Sequence, residues 1–362
     1  MNFGSCPPCP DFEATVPHCM GLLIGDFGSD KKSFFRGPDA ESRSISFQYF
    51  RARDLSTGSG GVMAGRIALF DVHCHLQDSR ILHKVPELIR AAREKGVQWM
   101  AVNGTSEEDW HVVKKMGEEH ASVIPCYGLH PWYVNERSKD WLSKLKSMLE
   151  SEPAAAVGEV GLCQSKKGRE VEVDVQVEVL RQQLHLAREL HRPVAVHCVR
   201  AFGPLLQLLE EMGHFPEGLI LHSFMGNQEQ VKQLAKYNAY FSFSGFATSL
   251  KRQKAKGVWR AVPLDRLLLE TDCPDALPSL ELSSLAWVSG DPDAPSQSKC
   301  CEDEDAKPSS EPGAGALNQP ANVRALLTYV ASLLELSEED LAEKTFRNSE
   351  SLFSYPGTKL KL

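Results

Sequence analysis

The sequence predicts a (β/α)8 TIM barrel. Eight short apolar runs recur between residues 67 and 274, and helical stretches separate most of them. The runs are continuously apolar instead of alternating, which is typical of parallel strands covered on both faces. Strands that alternate with helices favour a barrel. A doubly wound open sheet is the alternative, but it usually has fewer strands and a glycine-rich turn after the first, and this sequence has no such turn.

The predicted strands and helices follow one another in a regular order. The strands are residues 67–75, 97–104, 122–131, 154–162, 193–200, 218–226, 239–245 and 266–274. The helices are residues 85–96, 105–120, 140–150, 177–191, 201–213 and 227–237, with 321–336 and 337–353 as additional C-terminal helices. Apolar residues three and four apart indicate most of these helices. In 105–120, Thr105 and Ser106 precede acidic residues, which is a capping pattern.

Two segments do not fit the repeating pattern. Residues 1–65 are rich in Gly, Ser and Pro without a sustained period, and we expect a disordered N-terminal extension. Met63 is an alternative start, and an organellar address is another interpretation of this segment. Residues 280–315 are acidic and of low complexity, which indicates a long solvated loop after strand eight. The repeating pattern of strands and helices therefore begins after residue 65, and a short tail, 357–362, ends the chain.

The amino-acid composition argues against a membrane-spanning protein and against a disulfide-rich protein. The 362 residues include 40 Lys and Arg against 48 Asp and Glu, which gives a net charge of −8. No stretch approaches about 18 uninterrupted apolar residues, so we expect no membrane partner. Ten cysteines are too few for a disulfide scaffold, which favours a cytoplasmic or nuclear location. Residues 280–315 contribute −6 of the charge, with eight acidic and two basic residues. The barrel is therefore nearly neutral, and a nucleic acid substrate is not excluded.

Polar residues follow several of the predicted strands. The carboxyl ends of parallel barrel strands share one face, where active sites lie. Six potential metal ligands fall at these ends, and they are His73, His75, Glu159, His197, His222 and Asp272. A lone strand-end histidine is usually structural, but six such residues in register predict a metal site. Six ligands exceed the three or so that one catalytic metal takes, so a two-metal site with a bridging carboxylate is predicted.

The motifs resemble those of the TatD family of metal-dependent deoxyribonucleases. They are DVHCHLQ, GLHPW, GEVGL, PVAVHC, LHSFMG, FSFSG and LLLETDCP, with a late N-x-P and an RNS-x-x-LF tail. They occur in order over residues 66–356, and only the 280–315 insertion interrupts them. The resemblance implies an amidohydrolase-type barrel with two divalent metal ions. Mg²⁺ is the first expectation for activity, and Mn²⁺, Zn²⁺ and Co²⁺ are the alternatives.

The resemblance also implies a role for each site residue. His73, His75 and Asp272 would hold one metal, His197 and His222 the second, and Glu159 would bridge them. Asp272 would orient or deprotonate the attacking water. His130, in GLHP, would contact the scissile phosphate or balance its charge. The implied activity is hydrolysis of DNA, as a 3′→5′ exonuclease on single strands or ends. We expect the protein to be a monomer.

Some residues depart from the family pattern or are weaker candidates. Cys163 directly follows the GEVGL motif, at a position where the family commonly has Asp, and this puts the tuning of the metal centre in doubt. Arg200 is a candidate phosphate contact, and Trp132 and Tyr133 are candidates for stacking on a base. The basic run 251–256 either tracks a nucleic acid backbone or is a solvated helix face.

Two other functions remain open at this point. The first is a metallohydrolase acting on a small ester, amide or cyclic substrate, as in the wider superfamily. Many such enzymes bridge their metals with a carboxylated lysine on strand four, and this chain has Glu159 there. The second is a non-enzymatic scaffold that uses the acidic loop as a partner site, and the intact ligand set argues against it.

Overall fold

The computed structural model describes residues 67–295, 312–313 and 315–360. The extension predicted over residues 1–65 and the acidic stretch 296–311 therefore lie outside the described residues. Eight parallel strands form one sheet in sequence order, which confirms the predicted (β/α)8 barrel. They are β1 (Leu69–Cys74), β2 (Val97–Asn103), β3 (Val123–Tyr127), β4 (Ala156–Cys163), β5 (Val194–Val199), β6 (Leu219–Leu221), β7 (Ala239–Phe243) and β8 (Leu267–Leu269).

The barrel closes between β1 and the segment that follows β8. The backbone N–H of Asp272 donates to the carbonyl of His73 at 2.9 Å, and the N–H of His75 donates to the carbonyl of Cys273 at 2.7 Å. The buried Asp71 carboxylate accepts from the N–H of Thr271 at 2.8 Å. These bonds bring the two histidines of the first strand beside Asp272, although about 200 residues separate them in the sequence.

Nine α-helices surround the described part of the barrel. They are α1 (Val85–Glu94), α2 (Trp110–Glu119), α3 (Trp141–Ser151), α4 (Val173–Glu189), α5 (Phe202–Met212), α6 (Gln228–Leu234), α7 (Arg252–Ala261), α8 (Val323–Leu334) and α9 (Glu338–Phe353). The predicted helices did not include α7, which contains most of the basic run 251–256 and so confirms the helix-face interpretation of that run. Among the described residues, no helix is long and apolar enough to span a membrane.

Helix α2 begins five residues later than predicted. The predicted cap residues, Thr105 and Ser106, donate their backbone N–H groups to the carboxylate of Asp109 at 2.9 to 3.1 Å. They form a turn before the helix, so the capping interpretation is wrong at this position. The turn satisfies backbone donors that the helix would otherwise leave unpaired.

The end of the barrel opposite the strand carboxyl ends is filled with apolar side chains. Phe353, at the end of α9, stacks on Phe70 near the start of β1 with ring centres 5.0 Å apart. The hydroxyl of the buried Tyr355 donates to the carbonyl of Ala154, just before β4, at 2.7 Å. The C-terminal segment thus plugs this end, and the polar site is left at the other end.

Part of the insertion after β8 packs onto the barrel. Leu285 and Val288 are buried. The side chain of Asn322 accepts from the N–H of Ala286 at 2.7 Å and donates to its carbonyl at 3.0 Å. The prediction of a solvated loop is therefore wrong for residues 285–288. The buried side chains of Leu285 and Val288 and the hydrogen bonds of Asn322 hold residues 285–288 against the barrel, although the composition of the insertion is mostly polar.

Candidate metal centre

Four of the six predicted ligands form a first group of donor atoms. The Nε2 atoms of His73 and His75 lie 3.2 Å apart. Oε2 of Glu159 lies 3.6 and 3.3 Å from them, and Oδ1 of Asp272 lies 3.9 and 3.5 Å from them. His73 is within β1, His75 follows that strand directly, and Asp272 comes three residues after β8.

A second group of donors lies beside the first and shares Glu159 with it. Nδ1 of His197, on β5, lies 3.1 Å from Nε2 of His222, which directly follows β6. Both nitrogens contact Oε1 of Glu159, at 2.8 and 2.9 Å. The two carboxylate oxygens of Glu159 therefore belong to different groups, which is the geometry of a bridging ligand.

The donor atoms of the two groups suit divalent cations. Donors about 2.1 Å from one ion lie about 3.0 to 3.4 Å from each other in octahedral or tetrahedral geometry. The nitrogen pairs, at 3.1 and 3.2 Å, match this spacing. Imidazole and carboxylate donors suit Zn²⁺, Mn²⁺, Fe²⁺ and Co²⁺, and Mg²⁺ when water completes the shell. The fit concerns the donor set, and it does not distinguish between these ions.

Polar groups lie on the far side of two of the histidine rings, as a hydrogen-bond acceptor for His75 and as an ion-pair contact for His222. Nδ1 of His75 donates to the carbonyl of Asn103 at 2.8 Å, which leaves Nε2 free to bind a cation. Nδ1 of His222 lies 3.5 Å from Oε1 of Glu270. Glu270 is fully buried, and it accepts from the backbone N–H of Ser223 at 2.6 Å and from the hydroxyl of Ser242 at 2.5 Å.

The sequence analysis missed Glu270, although its position offered a signal. Glu270 and Asp272 are two residues apart in LLLETDCP, so alternation places both on the same side of an extended segment. The sequence analysis placed Asp272 at the end of a strand predicted over residues 266–274, whereas β8 ends at Leu269 and Glu270 follows it directly. Glu270 lies behind His222, where a carboxylate fixes the orientation of the ring.

The electrostatics of the centre favour an ionised Glu159. Burial raises the pKa of its carboxyl group, but the neighbouring imidazole groups of His130 and His222 and a hydrogen bond from His197 hold that pKa well below its usual range. Burial likewise raises the pKa of Asp272, and a hydrogen bond with His75 together with nearby charges lowers it below the ordinary value. Both groups are therefore carboxylates near neutral pH, which is the form that binds metals.

His130 also joins the site. It is buried, and its Nε2 lies 3.5 Å from Oε1 of Glu159. Burial holds the pKa of His130 well below its usual value, so the ring is neutral near pH 7. Its Nδ1 accepts from the N–H of Trp132 at 3.1 Å, which places the ring proton on Nε2. A neutral ring can donate a hydrogen bond to a phosphate, but it cannot supply a full positive charge.

The remaining candidates occupy different environments. Trp132 is half-buried with its ring 4.8 Å from that of His130, and its indole N–H donates to Sγ of Cys163 at 3.2 Å. Cys163 is buried. Burial raises the pKa of its thiol, but a hydrogen bond with His197 and the charge of that ring lower it to about 7. Arg200 is exposed just after β5, and Tyr133 is half-buried beside Trp132.

Comparison with known proteins agrees with the fold and the site. Residues 70–354 match the family model described as TatD related DNase. The chain belongs to the TatD family. It is 31% identical over 297 residues to the uncharacterized metal-dependent hydrolase YcfH of Escherichia coli K12, which covers 81% of this chain and 98% of the relative. The TatD resemblance is thereby confirmed, and the chain is a TatD-family metal-dependent hydrolase.

Two other relatives extend the comparison. The chain is 28% identical over 214 residues to the 3′-5′ ssDNA/RNA exonuclease TatD of Erwinia tasmaniensis, covering 58% of this chain and 81% of that protein. The crystal structure of YJJV, a TatD homologue from Escherichia coli K12, superposes with a TM-score of 0.66 at 24% identity and covers 80% of this chain and 98% of that one. The latter comparison concerns the fold.

Proposed function

We propose that this TatD-family hydrolase is a deoxyribonuclease that removes nucleotides from the 3′ end of single-stranded DNA. The observation that carries the proposal is the position of Glu159. Its two carboxylate oxygens lie 2.8 Å from His197 and 3.3 Å from His75, in separate donor groups. Paired cations about 3.5 to 4 Å apart are used repeatedly to hydrolyse phosphodiesters.

The two donor groups support the following set of metal ligands for the proposed enzyme. His73, His75 and Asp272 would hold one cation, His197 and His222 the other, and Glu159 would bridge them. Two bound divalent cations, with Mg²⁺ the first candidate, would stabilise negative charge on the phosphoryl oxygens and lower the pKa of water. Mn²⁺, Zn²⁺ and Co²⁺ remain alternatives.

Two side chains of the protein would act on the reacting groups. Asp272 is ionised, and its Oδ2 accepts from the hydroxyl of Ser223 at 3.2 Å, which fixes the carboxylate. It would accept a proton from the attacking water. His130 would donate its Nε2 hydrogen to a non-bridging phosphate oxygen. Cleavage of the bond between phosphorus and the 3′ oxygen then leaves a 3′ hydroxyl on the shortened strand and releases a 5′-mononucleotide.

The name of the Erwinia relative supports both the reaction class and the direction of digestion. That name includes RNA, so the proposal is tested on both polymers. The small ester, amide or cyclic substrate of the wider superfamily remains the alternative. The site offers Glu159 in place of the lysine bridge that many of those enzymes use, and we therefore favour the phosphodiester.

The test is a nuclease assay on defined substrates. Full-length protein is incubated with 3′- and 5′-labelled single-stranded DNA and RNA, with Mg²⁺, Mn²⁺, Zn²⁺ or Co²⁺. We expect 5′-mononucleotides released from the 3′ end. Asp272→Asn should reduce the rate by about 10² to 10⁴. Asp265→Asn, an exposed change at the opposite end of β8, is the matched control. Equal activity of Asp272→Asn and wild type would contradict the mechanism, and hydrolysis of amides alone would favour the alternative.

We further propose that the enzyme acts as a monomer in a reducing compartment, the cytoplasm or the nucleus. The five cysteines of the described residues are free, and four of them are buried. Such thiols are typical of reducing compartments. Light scattering of the purified protein tests the monomer, and imaging of a tagged protein tests the location.

A further inference from the structure

The loop after β4 is held tightly against the end of that strand. Gly168 turns back so closely that a Cβ atom there would lie 2.2 Å from the carbonyl oxygen of Cys163. The fully buried side chain of Gln176, on α4, accepts from the N–H of Cys163 at 2.7 Å and donates to the carbonyls of Gly168 and Val171 at 2.8 Å. The loop therefore has a fixed backbone, and so does the Cα position of Lys167.

Lys167 extends from this loop over two aromatic rings. Its Nζ lies 4.7 Å from the ring centre of Trp132 and 4.8 Å from that of Tyr133. An ammonium group above an aromatic face is attracted by the negative potential of that face. Within the described residues, no carboxylate lies within 4.0 Å of this ammonium group. Its charge is thus held in place without being neutralised.

The rings connect this ammonium group to the metal centre. The Trp132 ring packs edge-on against His130 with centres 4.8 Å apart, and it lies 6.4 Å from the ring of His197. His130 in turn is 3.5 Å from Glu159. Lys167 therefore lies one aromatic ring away from the proposed catalytic histidine.

Arg80, another cation on this side of the barrel, is differently placed. It donates to Asp78 at 2.9 Å and to Asp275 at 2.8 Å, so two carboxylates already balance its charge. Lys167 is exposed at the rim and has no such partner among the described side chains. Of the two, Lys167 has the charge available for an anionic substrate.

We propose that Lys167 binds a backbone phosphate of the nucleic acid strand, next to the phosphate that is hydrolysed. The inference rests on the proposed function, because it names a contact of that same substrate. Trp132 and Tyr133 act as positioning residues for the ammonium group, which lies over the ring faces that a stacked base would need. An ammonium group already restrained by two rings loses less conformational freedom when it binds a phosphate.

Salt dependence of binding tests this contact directly. The affinity of full-length protein for a fluorescent single strand is measured over a salt series with Mg²⁺, in an Asp272→Asn background that slows cleavage. Each phosphate contact on a single strand contributes about 0.7 to the slope of log Kd against log salt concentration. We expect Lys167→Ala to reduce the slope by about 0.7 and Lys167→Arg to keep it. Lys166→Ala, a change of the neighbouring exposed lysine, should leave the slope unchanged.

Several results would overturn the assignment. The first is a salt-dependence slope that is unchanged in Lys167→Ala, and the second is an equal decrease of the slope in Lys166→Ala. The third is tighter DNA binding by Lys167→Ala, which would mean that the uncovered rings of Trp132 and Tyr133 stack on bases. Absence of DNA binding by the parent protein would overturn it too. A failure of the proposed function gives a different result from a failure of this contact. In that case the wild-type protein binds the single strand, Lys167→Ala reduces the salt-dependence slope as expected, and the strand is not shortened.

Discussion

Replacing Glu159 by Gln changes both donor groups at once. One carboxylate oxygen contacts His197 and His222 at 2.8 and 2.9 Å, and the other contacts His75 at 3.3 Å. Glutamine keeps the shape of the side chain but removes the negative charge, and it turns one of the two acceptors into a donor. We expect the protein to fold and to lose most of its affinity for divalent cations.

The expected size of the effect follows from the charge that is lost. One unit charge about 4 Å from an opposite unit charge contributes about 4 kcal/mol at an effective dielectric constant of about 20. That corresponds to about a thousandfold change in metal affinity. A metal concentration of about 100 times Kd stabilises wild type by about 2.7 kcal/mol. In a domain of this size, we expect a rise in Tm of about 5 °C.

The assay is thermal unfolding with and without metal. At the concentration that raises the wild-type Tm by about 5 °C, a thousandfold weaker site gives no measurable shift. Glu152→Gln is the matched control, because this residue lies outside the site, 3.4 Å from Lys114. A Glu159→Gln protein that keeps both the full metal-dependent shift and wild-type turnover would refute the bridging geometry.

Three further predictions concern other parts of the chain. Glu270→Gln should weaken metal affinity by about 10- to 100-fold in a calorimetric titration, because it removes the carboxylate behind His222; unchanged affinity would argue against this positioning role. Gly245→Ala should lower the free energy of unfolding by about 1 to 3 kcal/mol, since the added methyl group would lie 1.9 Å from a backbone carbonyl. Gly203 lies in α5 with open space around it, so Gly203→Ala should instead raise the free energy of unfolding by about 0.5 to 1 kcal/mol in the same denaturation series. Equal losses of stability in the two alanine variants would contradict the packing argument. Deleting 296–311, which holds five acidic residues and two lysines, should strengthen binding of single-stranded DNA at low salt, with convergence at high salt; an unchanged affinity would exclude electrostatic repulsion by this stretch.

The sequence predicted the strands well because their apolar runs are continuous and the ligands lie at their ends. Strands β6 and β8 are the clearest exceptions, since they cover only Leu219–Leu221 within the predicted 218–226 and Leu267–Leu269 within the predicted 266–274. The chain leaves the sheet at His222, whose ring turns toward Glu159, so local apolar content overestimates the strand. The start of helix α2 was also predicted wrongly. The side chain of Asp109 accepts hydrogen bonds that form a turn before the helix, and the spacing of apolar residues in the sequence does not reveal those bonds.

The sequence alone determined the barrel, the family and the identity of the six candidate ligands, because apolar patterning and strand-end chemistry are local properties. The division of these ligands into two groups was implied by the resemblance, and the tertiary structure supplied the distances that place one oxygen of Glu159 beside His75 and the other beside His197. It also showed that Glu270 lies behind His222, that residues 285–288 are packed, and that Lys167 lies over Trp132. These features depend on distances between segments far apart in the chain. Closure of the barrel fixes those distances, and no local pattern encodes them.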